Sequence, residues 1–297
     1  MNLKENEKSE KEFLEDYNIE KYERPSITND VIIFTTDDIK EDNLRKVPKK
    51  GMQILLIKRK EHPCKNKWAI PGGFVQMDEN LEDGARRKLK EKTRIENVYI
   101  EQLGTFGDVK RDPRTRVVSV ANLALIAKEN IKYTQPEANK ETQWFWIEKK
   151  VIESNSLKGS VENRYKLTFT SENEDIKMEY EIMENIRKTI LREREVTYKL
   201  LEGSSAELAF DHYKIIDYAL DRLRNKVEYT PIALNLLPRL FTVKELQNVY
   251  EAIMGREILN FRRKMDNMIV ETDEKIDGKP FRPAKVFKFN ANWEHNF

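Results

Sequence analysis

The sequence predicts an α/β (α+β) protein, a mixed-sheet domain followed by a smaller helical domain closed by a β-hairpin. Three observations carry this. Short β-branched and aliphatic runs alternate with amphipathic stretches as far as about Leu201. A Gly203-Ser204-Ser205 cluster then interrupts the pattern as a linker would. Beyond it, apolar residues recur at helical spacing until Asp277-Gly278, a hairpin turn pair, falls between two extended segments. A length of 297 residues suits two domains, and the boundaries read as 1–22 for a flexible leader, 23–205 for the first domain and 206–297 for the second.

Residues 1–22 are polar and charge-mixed, the pattern of a frayed or loosely helical leader. Val31–Thr36 and Gln53–Lys58 read as strands joined by a solvated loop. Ala69-Ile70-Pro71-Gly72-Gly73-Phe74 is a turn leading into a strand. Asn80–Lys92 reads as a helix, with Leu81, Ala85 and Leu89 at four-residue spacing. Strands follow at Glu101–Phe106, Arg116–Lys128 and Gln143–Ile147. Tyr165–Thr170 and Ile176–Tyr180 flank a polar turn as a hairpin, and no role is assigned to 151–204 as a whole.

In the second domain Ile216, Leu220 and Leu223 make one amphipathic stripe. Thr242 and Glu245 form a capping box, in which the Thr hydroxyl accepts the N3 amide and the Glu reaches back. Leu246, Val249, Tyr250, Ile253 and Met254 share one face of the helix so started, and Gly255 stands at its C-terminal cap. A third helix is expected from about Ile258, with Phe261, Met265, Met268 and Ile269 on its apolar side. Three helices and a terminal hairpin are the winged-helix pattern.

Composition narrows the function classes. Lys+Arg 54 against Asp+Glu 52 leaves the chain almost neutral, so a basic footprint for nucleic acid has to be local. Cys64 is the single cysteine, which excludes an internal disulfide framework and suits a reducing compartment. The N-terminus is too charged for a signal peptide, and no apolar run approaches a membrane span. A cytoplasmic protein with no membrane partner is expected. His62, His212 and His295 lack metal-ligand spacing, so no zinc site is expected.

Gly73, Glu79, Arg87, Leu89, Glu91 and Ile95 stand at the spacing G-x5-E-x7-R-E-U-x-E-E-x-G-U, U being a bulky aliphatic, and in this the sequence resembles the Nudix box. The resemblance implies the Nudix fold, an α/β/α sandwich around a mixed sheet. Three positions depart from it: Lys88 and Lys92 replace glutamates and Arg94 replaces the late glycine. In an active box the acids at i, i+3 and i+4 share one helix face and hold a cation such as Mg2+, which activates the attacking water. Here two ammonium groups face that position. A like-charge contact at 4 Å costs about 4 kcal/mol at an effective dielectric near 20, so ordinary hydrolysis through this box is not expected. Three readings of Lys88 and Lys92 remain open. They are a solvated basic patch, or counter-charges that replace a metal beside a bound pyrophosphate. Otherwise hydrolysis survives on Glu79, Glu91 and an auxiliary acid such as Glu141, with Mg2+ or Mn2+ as the cofactor. The first two need no cofactor, and on them Glu79, Arg87 and Glu91 are remnants held by ion pairing.

Phe106 to Val120, with Arg111, Asp112, Arg114 and Arg116, resembles the corresponding segment of Nudix proteins that handle ADP-ribose, as does Glu23-Arg24-Pro25-Ser26. Arginines in a loop entering a strand suit phosphate and ribose recognition through the guanidinium fork. Arg59 and Arg116 are the leading pocket candidates, Arg111 and Asp112 join them, and Phe106 is a stacking surface for adenine. A surface loop with solubilising charge is the plainer alternative. Trp68, Trp144 and Trp146 are expected in the core or in strand packing.

Ala219-Leu-Asp-Arg-Leu-Arg-Asn-Lys-Val-Glu-Tyr-Thr-Pro, Leu237-Pro-Arg-Leu-Phe-Thr, Leu246-Gln-Asn-Val-Tyr-Glu-Ala-Ile-Met-Gly and Asn260-Phe-Arg-Arg-Lys-Met carry a second resemblance, to the winged helix of NrtR-type regulators. That family joins a Nudix-like sensor to this module and controls NAD metabolism. On a regular third helix Asn260, Arg263 and Asn267 face away from the apolar side, flanked by Lys264, while Arg262 lies nearer the buried flank. Arg and Asn pair bidentately with guanine and adenine edges. Arg256 precedes this helix, and the wing carries Lys279, Arg282, Lys285 and Lys288 for phosphates. The expected function is a DNA-binding transcriptional regulator, a repressor sensing ADP-ribose or a related nucleotide or sugar phosphate. A homodimer on a palindromic operator is expected with it. An active Nudix hydrolase with an accessory domain is the alternative enzyme reading, and a protein-interaction scaffold the third.

Overall fold

The computed structural model describes residues 9–40, 47–93, 95–96, 98–131, 141–157, 159–173, 175–188, 192–265, 267–274 and 285–294; of 92, 93, 157, 188 and 192 it describes the backbone alone. The leader forms helix α1, Glu10–Asp16, under a capping box between Ser9 and Glu12. Strands β1 (Ser26–Asp38), β2 (Lys50–Lys58), β3 (Trp68–Ala69) and β4 (Gly72–Phe74) precede helix α2 (Leu81–Thr93). Strands β5 (Tyr99–Phe106), β6 (Val117–Leu125), β7 (Thr142–Leu157), β8 (Ser160–Ser171), β9 (Lys177–Lys188) and β10 (Arg192–Leu200) follow. Helix α3 (His212–Lys226), a 3-10 segment Pro231–Leu236, helix α4 (Val243–Met254) and the single turn α5 (Phe261–Lys264) lead to strands β11 (Ile269–Thr272) and β12 (Val286–Phe289). None of the described helices is long and apolar enough to cross a membrane.

One sheet of ten strands runs in the order β10-β9-β8-β7-β2-β1-β6-β5, with β3 and β4 on its flank. The β1–β6 pair is parallel and its other pairs are antiparallel, so the sheet is mixed as expected. Alternation along the strands sends successive side chains to opposite faces. Val31, Ile33, Leu55, Ala124 and Trp144 meet Ala85 and Leu89 of α2. Ile32, Phe34, Ile54, Leu56, Leu123 and Phe145 meet Ile215, Ile216, Ala219, Leu220 and Leu223 of α3 on the other face. Helix α3 is therefore the second helical layer of the α/β/α sandwich. The same core continues into Leu246, Val249, Ile253, Phe261 and Phe287, so the sheet and the C-terminal elements share one apolar interior.

Three local expectations are corrected. The Gly203-Ser204-Ser205 cluster is stitched to the sheet rather than free. Ser204 and Ser205 hydroxyls accept from the Glu179 and Lys177 amides at 3.0 and 2.9 Å, and the chain then bridges Trp68 at Leu208. Strand β10 was not expected, because Val196 and Tyr198 are its sole core-packed apolar residues amid charged neighbours. The long third helix is a turn, a four-residue helix and a strand. Asn260 takes a left-handed conformation (φ 56°), and the Glu251 carboxylate accepts from the Ile258 amide at 3.1 Å, which holds the approach non-helical. Phe261, Met265, Met268 and Ile269 are all buried. Their spacing reported burial and not one continuous helix.

Candidate functional site

Helix α2 rests on β1 and β4, and its polar face closes on itself. Arg87 donates twice to Glu79, through Nη2 at 2.6 Å and Nε at 2.8 Å, and once to Glu91 at 2.8 Å. Glu79 also accepts from the Gln76 amide at 2.8 Å. These bonds, that to Arg87 first, hold its carboxyl far below the usual range, at about 2. The second oxygen of Glu91 accepts from Lys88 at 3.0 Å, and the Arg87 contact is the main reason its pKa is lowered. Lys88 lies along Gly73, where an added Cβ would stand 2.8 Å from its Cε and 3.1 Å from its Nζ. The ammonium thus fills the corner between box and turn.

Metal chemistry can be tested against this donor set. Two box carboxylates remain, and each oxygen of both already accepts from Arg87 or Lys88. Glu141, the auxiliary acid, is ion-paired with Lys60. A divalent cation needs several free oxygen ligands, and the described side chains do not fit one. Lys92 lies in α2, but its side chain is outside the described residues, as is Arg94.

Across the sheet a second cluster forms around the start of α3. Arg111 donates to Asp211 at 2.9 and 3.1 Å, with the two side chains 5% and 8% exposed, and its Nη2 is 3.8 Å from Asp30. Ser119 donates to Asp30 at 2.5 Å. The Ile70 amide donates to His212 Nδ1 at 3.0 Å, leaving Nε2 to carry the proton of a neutral ring. Burial pushes the His212 pKa down, against the pull of Asp30 and Asp211. Lys214 of α3 pairs with Asp108 at 2.9 Å, so two ion pairs join the loop after β5 to the first turn of the helix.

Lys88 and Lys92 lie on α2, and the other sequence-selected ligand residues gather around the loop after β5 and the start of α3. Arg59 donates to the Pro63 carbonyl at 2.9 Å and stands over the Phe210 ring at 4.9 Å. Phe106 packs against Tyr218 of α3 in a T-shaped contact with ring centroids 5.8 Å apart. Asp112 is buried and bonded to Arg114. Arg116 reaches the Asp108 carbonyl at 3.2 Å and is exposed. Arg111 is the one whose expected role changes most in the structure, since its fork is committed to Asp211. A cavity of about 510 Å³ opens beside this group, walled by Tyr198, Phe210, Tyr213, Lys67, Lys110 and Lys214. Trp68 and Trp144 are core residues, as expected. Sequence reasoning missed Asp30, Asp211 and His212, because nothing local links residues that far apart in the chain.

Helix α3 carries that cluster toward the C-terminal elements. Lys149, 3% exposed, pairs with Asp217 at 2.6 Å and Asp221 at 2.8 Å. Arg224, at the other end of α3, donates to the Ile253 carbonyl of α4 at 3.0 Å and to the Lys149 carbonyl at 3.2 Å. Asn248 of α4 donates to the Pro48 carbonyl at 2.6 Å.

Helix α4 begins with the expected capping box and ends at left-handed Gly255. Beyond it Arg256, Asn260, Arg262, Arg263, Lys264 and Asn267 are exposed. Arg262 is as accessible as its neighbours, which corrects its assignment to a buried flank: a single turn leaves all three basic residues in solvent. Strands β11 and β12 pair as the expected hairpin. Its Asp277-Gly278 turn, Lys279 and Arg282 lie outside the described residues. Lys285 is ion-paired with Glu271 at 2.8 Å.

Comparison with known proteins agrees with both halves. Residues 47–167 match the NUDIX domain, and 233–289 match the NrtR DNA-binding winged helix domain. The chain is 34% identical to the ADPR responsive transcriptional repressor NtrR of Acinetobacter baylyi, covering 100% of this chain and 95% of that one. Its structure resembles a MutT/nudix family protein from Enterococcus faecalis (29% identity, TM-score 0.66, 97% and 96% of the two chains). It also resembles Shewanella oneidensis NrtR complexed with a 27mer DNA (26% identity, TM-score 0.58, 89% and 93%). A Nudix sheet whose second helical layer leads directly into the winged helix, matched over its full length by such a relative, places this chain in the NrtR family.

Proposed function

We propose that the protein is a DNA-binding transcriptional repressor whose Nudix domain responds to ADP-ribose or a closely related nucleotide, without hydrolysing it. The observation that carries this reading is α3, one helix tied at its start to the candidate ligand loop and at its end to α4. Its relative in Acinetobacter baylyi is named for ADPR responsiveness and repression, and its structural neighbour from Shewanella oneidensis was crystallised on DNA. The ligand is held by Arg59, Phe106, Asp112 and Arg116, with Arg111 released on binding; Lys88 and Lys92 supply positive charge on the box side. Arg256, Asn260, Arg263, Lys264 and Asn267 face DNA, and Lys279 and Arg282 of the wing contact phosphates. A cytoplasmic homodimer binds a palindromic operator and needs no metal cofactor.

A ligand shifts DNA affinity only by as much as it distinguishes the free and bound states. Titration of the promoter DNA beside the protein's own gene, with and without ADP-ribose and without divalent metal, tests this. Specific binding that weakens with ADP-ribose is expected. Binding indifferent to every nucleotide offered removes the sensor, and turnover of ADP-ribose with Mg2+ or Mn2+ restores the enzyme reading.

A further inference from the structure

The turn that precedes α5 presents an apolar side chain on a surface rich in exposed Arg and Lys. Leu259 is 78% exposed, whereas Phe261, Met265, Met268 and Ile269 close by are buried. Arg256, Asn260, Arg262, Arg263 and Lys264 around it are all exposed, and Glu257 is the single acid between Gly255 and Met265. An isolated exposed leucine is ordinary on a protein surface. This one stands inside the segment that matches the NrtR DNA-binding winged helix domain, among exposed cations that draw phosphate. The left-handed Asn260 and the Glu251–Ile258 bond hold the tip out from the core.

A four-residue helix spans about 6 Å at 1.5 Å per residue, too little to lay several side chains along a major groove. The preceding turn must then share the reading. In the major groove thymine alone among the bases offers a methyl group, and apolar side chains select it by contact. We propose that Leu259 is a specificity-determining residue that packs on a thymine 5-methyl in the operator major groove, beside the polar contacts of Asn260 and the arginines. The proposal rests on the DNA-binding reading above and adds to it a base identity.

The test uses the full-length chain and duplexes recovered by it from a randomised DNA library. Each thymine of a recovered duplex is replaced in turn by deoxyuridine, which lacks only the methyl. Binding should fall about fourfold at one thymine position per half-site, the factor that burying one methyl carries. Leu259→Ala should bind the unmodified duplex more weakly, lose that uracil penalty, and keep its dependence on salt. Leu259→Met, also apolar, should retain the penalty. Because the side chain is exposed, neither variant disturbs the fold, and equal thermal melts confirm it. A Leu259→Ala protein with the full uracil profile overturns the contact, as does a wild type indifferent to every thymine methyl. Failure to recover any duplex overturns the DNA-binding reading itself and the contact with it.

Discussion

Arg111 and Asp211, one hundred residues apart in sequence, face each other through two hydrogen bonds of 2.9 and 3.1 Å in a buried setting. Asp211 is the N-cap residue of α3, yet its side chain makes no cap bond to the helix. The carboxylate that would ordinarily accept from the first turn is turned instead to the guanidinium of the candidate ligand loop. An anion that drew Arg111 away would leave Asp211 free to cap α3, which offers a physical route from ligand to helix.

Removing one partner of a buried pair strands the other, at a cost of about 3–5 kcal/mol. Arg111→Ala should therefore lower the unfolding free energy by about that amount in urea titrations. Arg111→Lys, a point charge without the fork, should recover only part. A loss below 1 kcal/mol for Arg111→Ala would show that the pair is not what fastens the loop to α3.

The shared core predicts cooperative unfolding. Leu223, fully buried between sheet and α4, should cost about 2–5 kcal/mol when changed to Ala. Calorimetry should show one transition that moves as a whole. Two separated transitions, with only the second displaced, would mean that the sheet and the winged helix fold apart.

Gly72 and Gly73 should differ sharply although adjacent. A Cβ at Gly72 would stand 2.2 Å from Asp30 Oδ1 and 2.6 Å from the Asn29 carbonyl, an obstacle of backbone. Gly72→Ala should cost at least the 1–3 kcal/mol typical of overpacking, about. At Gly73 the obstacle is the far end of Lys88, which can swing aside. Gly73→Ala should melt close to wild type while the Lys88 ammonium shifts, visible in its NMR resonance. Similar losses at both positions would contradict the close approach at Gly72.

The closed box makes an acid-range prediction. Glu79 titrates at about 2 against an ordinary 4.5, chiefly through its bond to Arg87. A depressed carboxylate pKa contributes stability that is present above 4.5 and is lost as pH falls through about 2. NMR titration of the Glu79 carboxyl should find it ionised at pH 3, and Arg87→Ala should return it toward 4.5. Mg2+ should not bind the wild type detectably, whereas Lys88→Glu with Lys92→Glu should create a weak site measurable by calorimetry. Tight Mg2+ binding by the wild type would reopen the hydrolase.

On DNA, Arg263→Ala should relax discrimination at one base position by about 1–3 kcal/mol if its fork reads a base edge. Lys279→Ala should weaken binding evenly across sequences and reduce the salt slope by about one. Competition binding against single-base variants separates the two outcomes.

Much of this was legible in residue order. The continuous β-branched and aliphatic run Val31–Thr36 gave β1, because a strand covered on both faces buries every side chain in turn. Thr242, Glu245 and Gly255 marked both ends of α4, since capping is a local bond within one turn. The box spacing placed α2, and it showed Lys88 and Lys92 standing where the box carries glutamates. Local chemistry is written locally.

Tertiary structure decided what distant residues do together. Arg111 could be assigned to a ligand from its loop but not to Asp211, because no periodicity connects them. The apolar spacing from Ile258 to Ile269 fits a helix and equally a turn that buries the same residues. The Glu251 carboxylate and the pairing of Ile269 with Phe289 chose the second. Nor could sequence disclose that α3 serves two structures at once. Its stripe of Ile216, Leu220 and Leu223 states only that one face is buried, and which surface covers that face is settled by the packing of the whole chain.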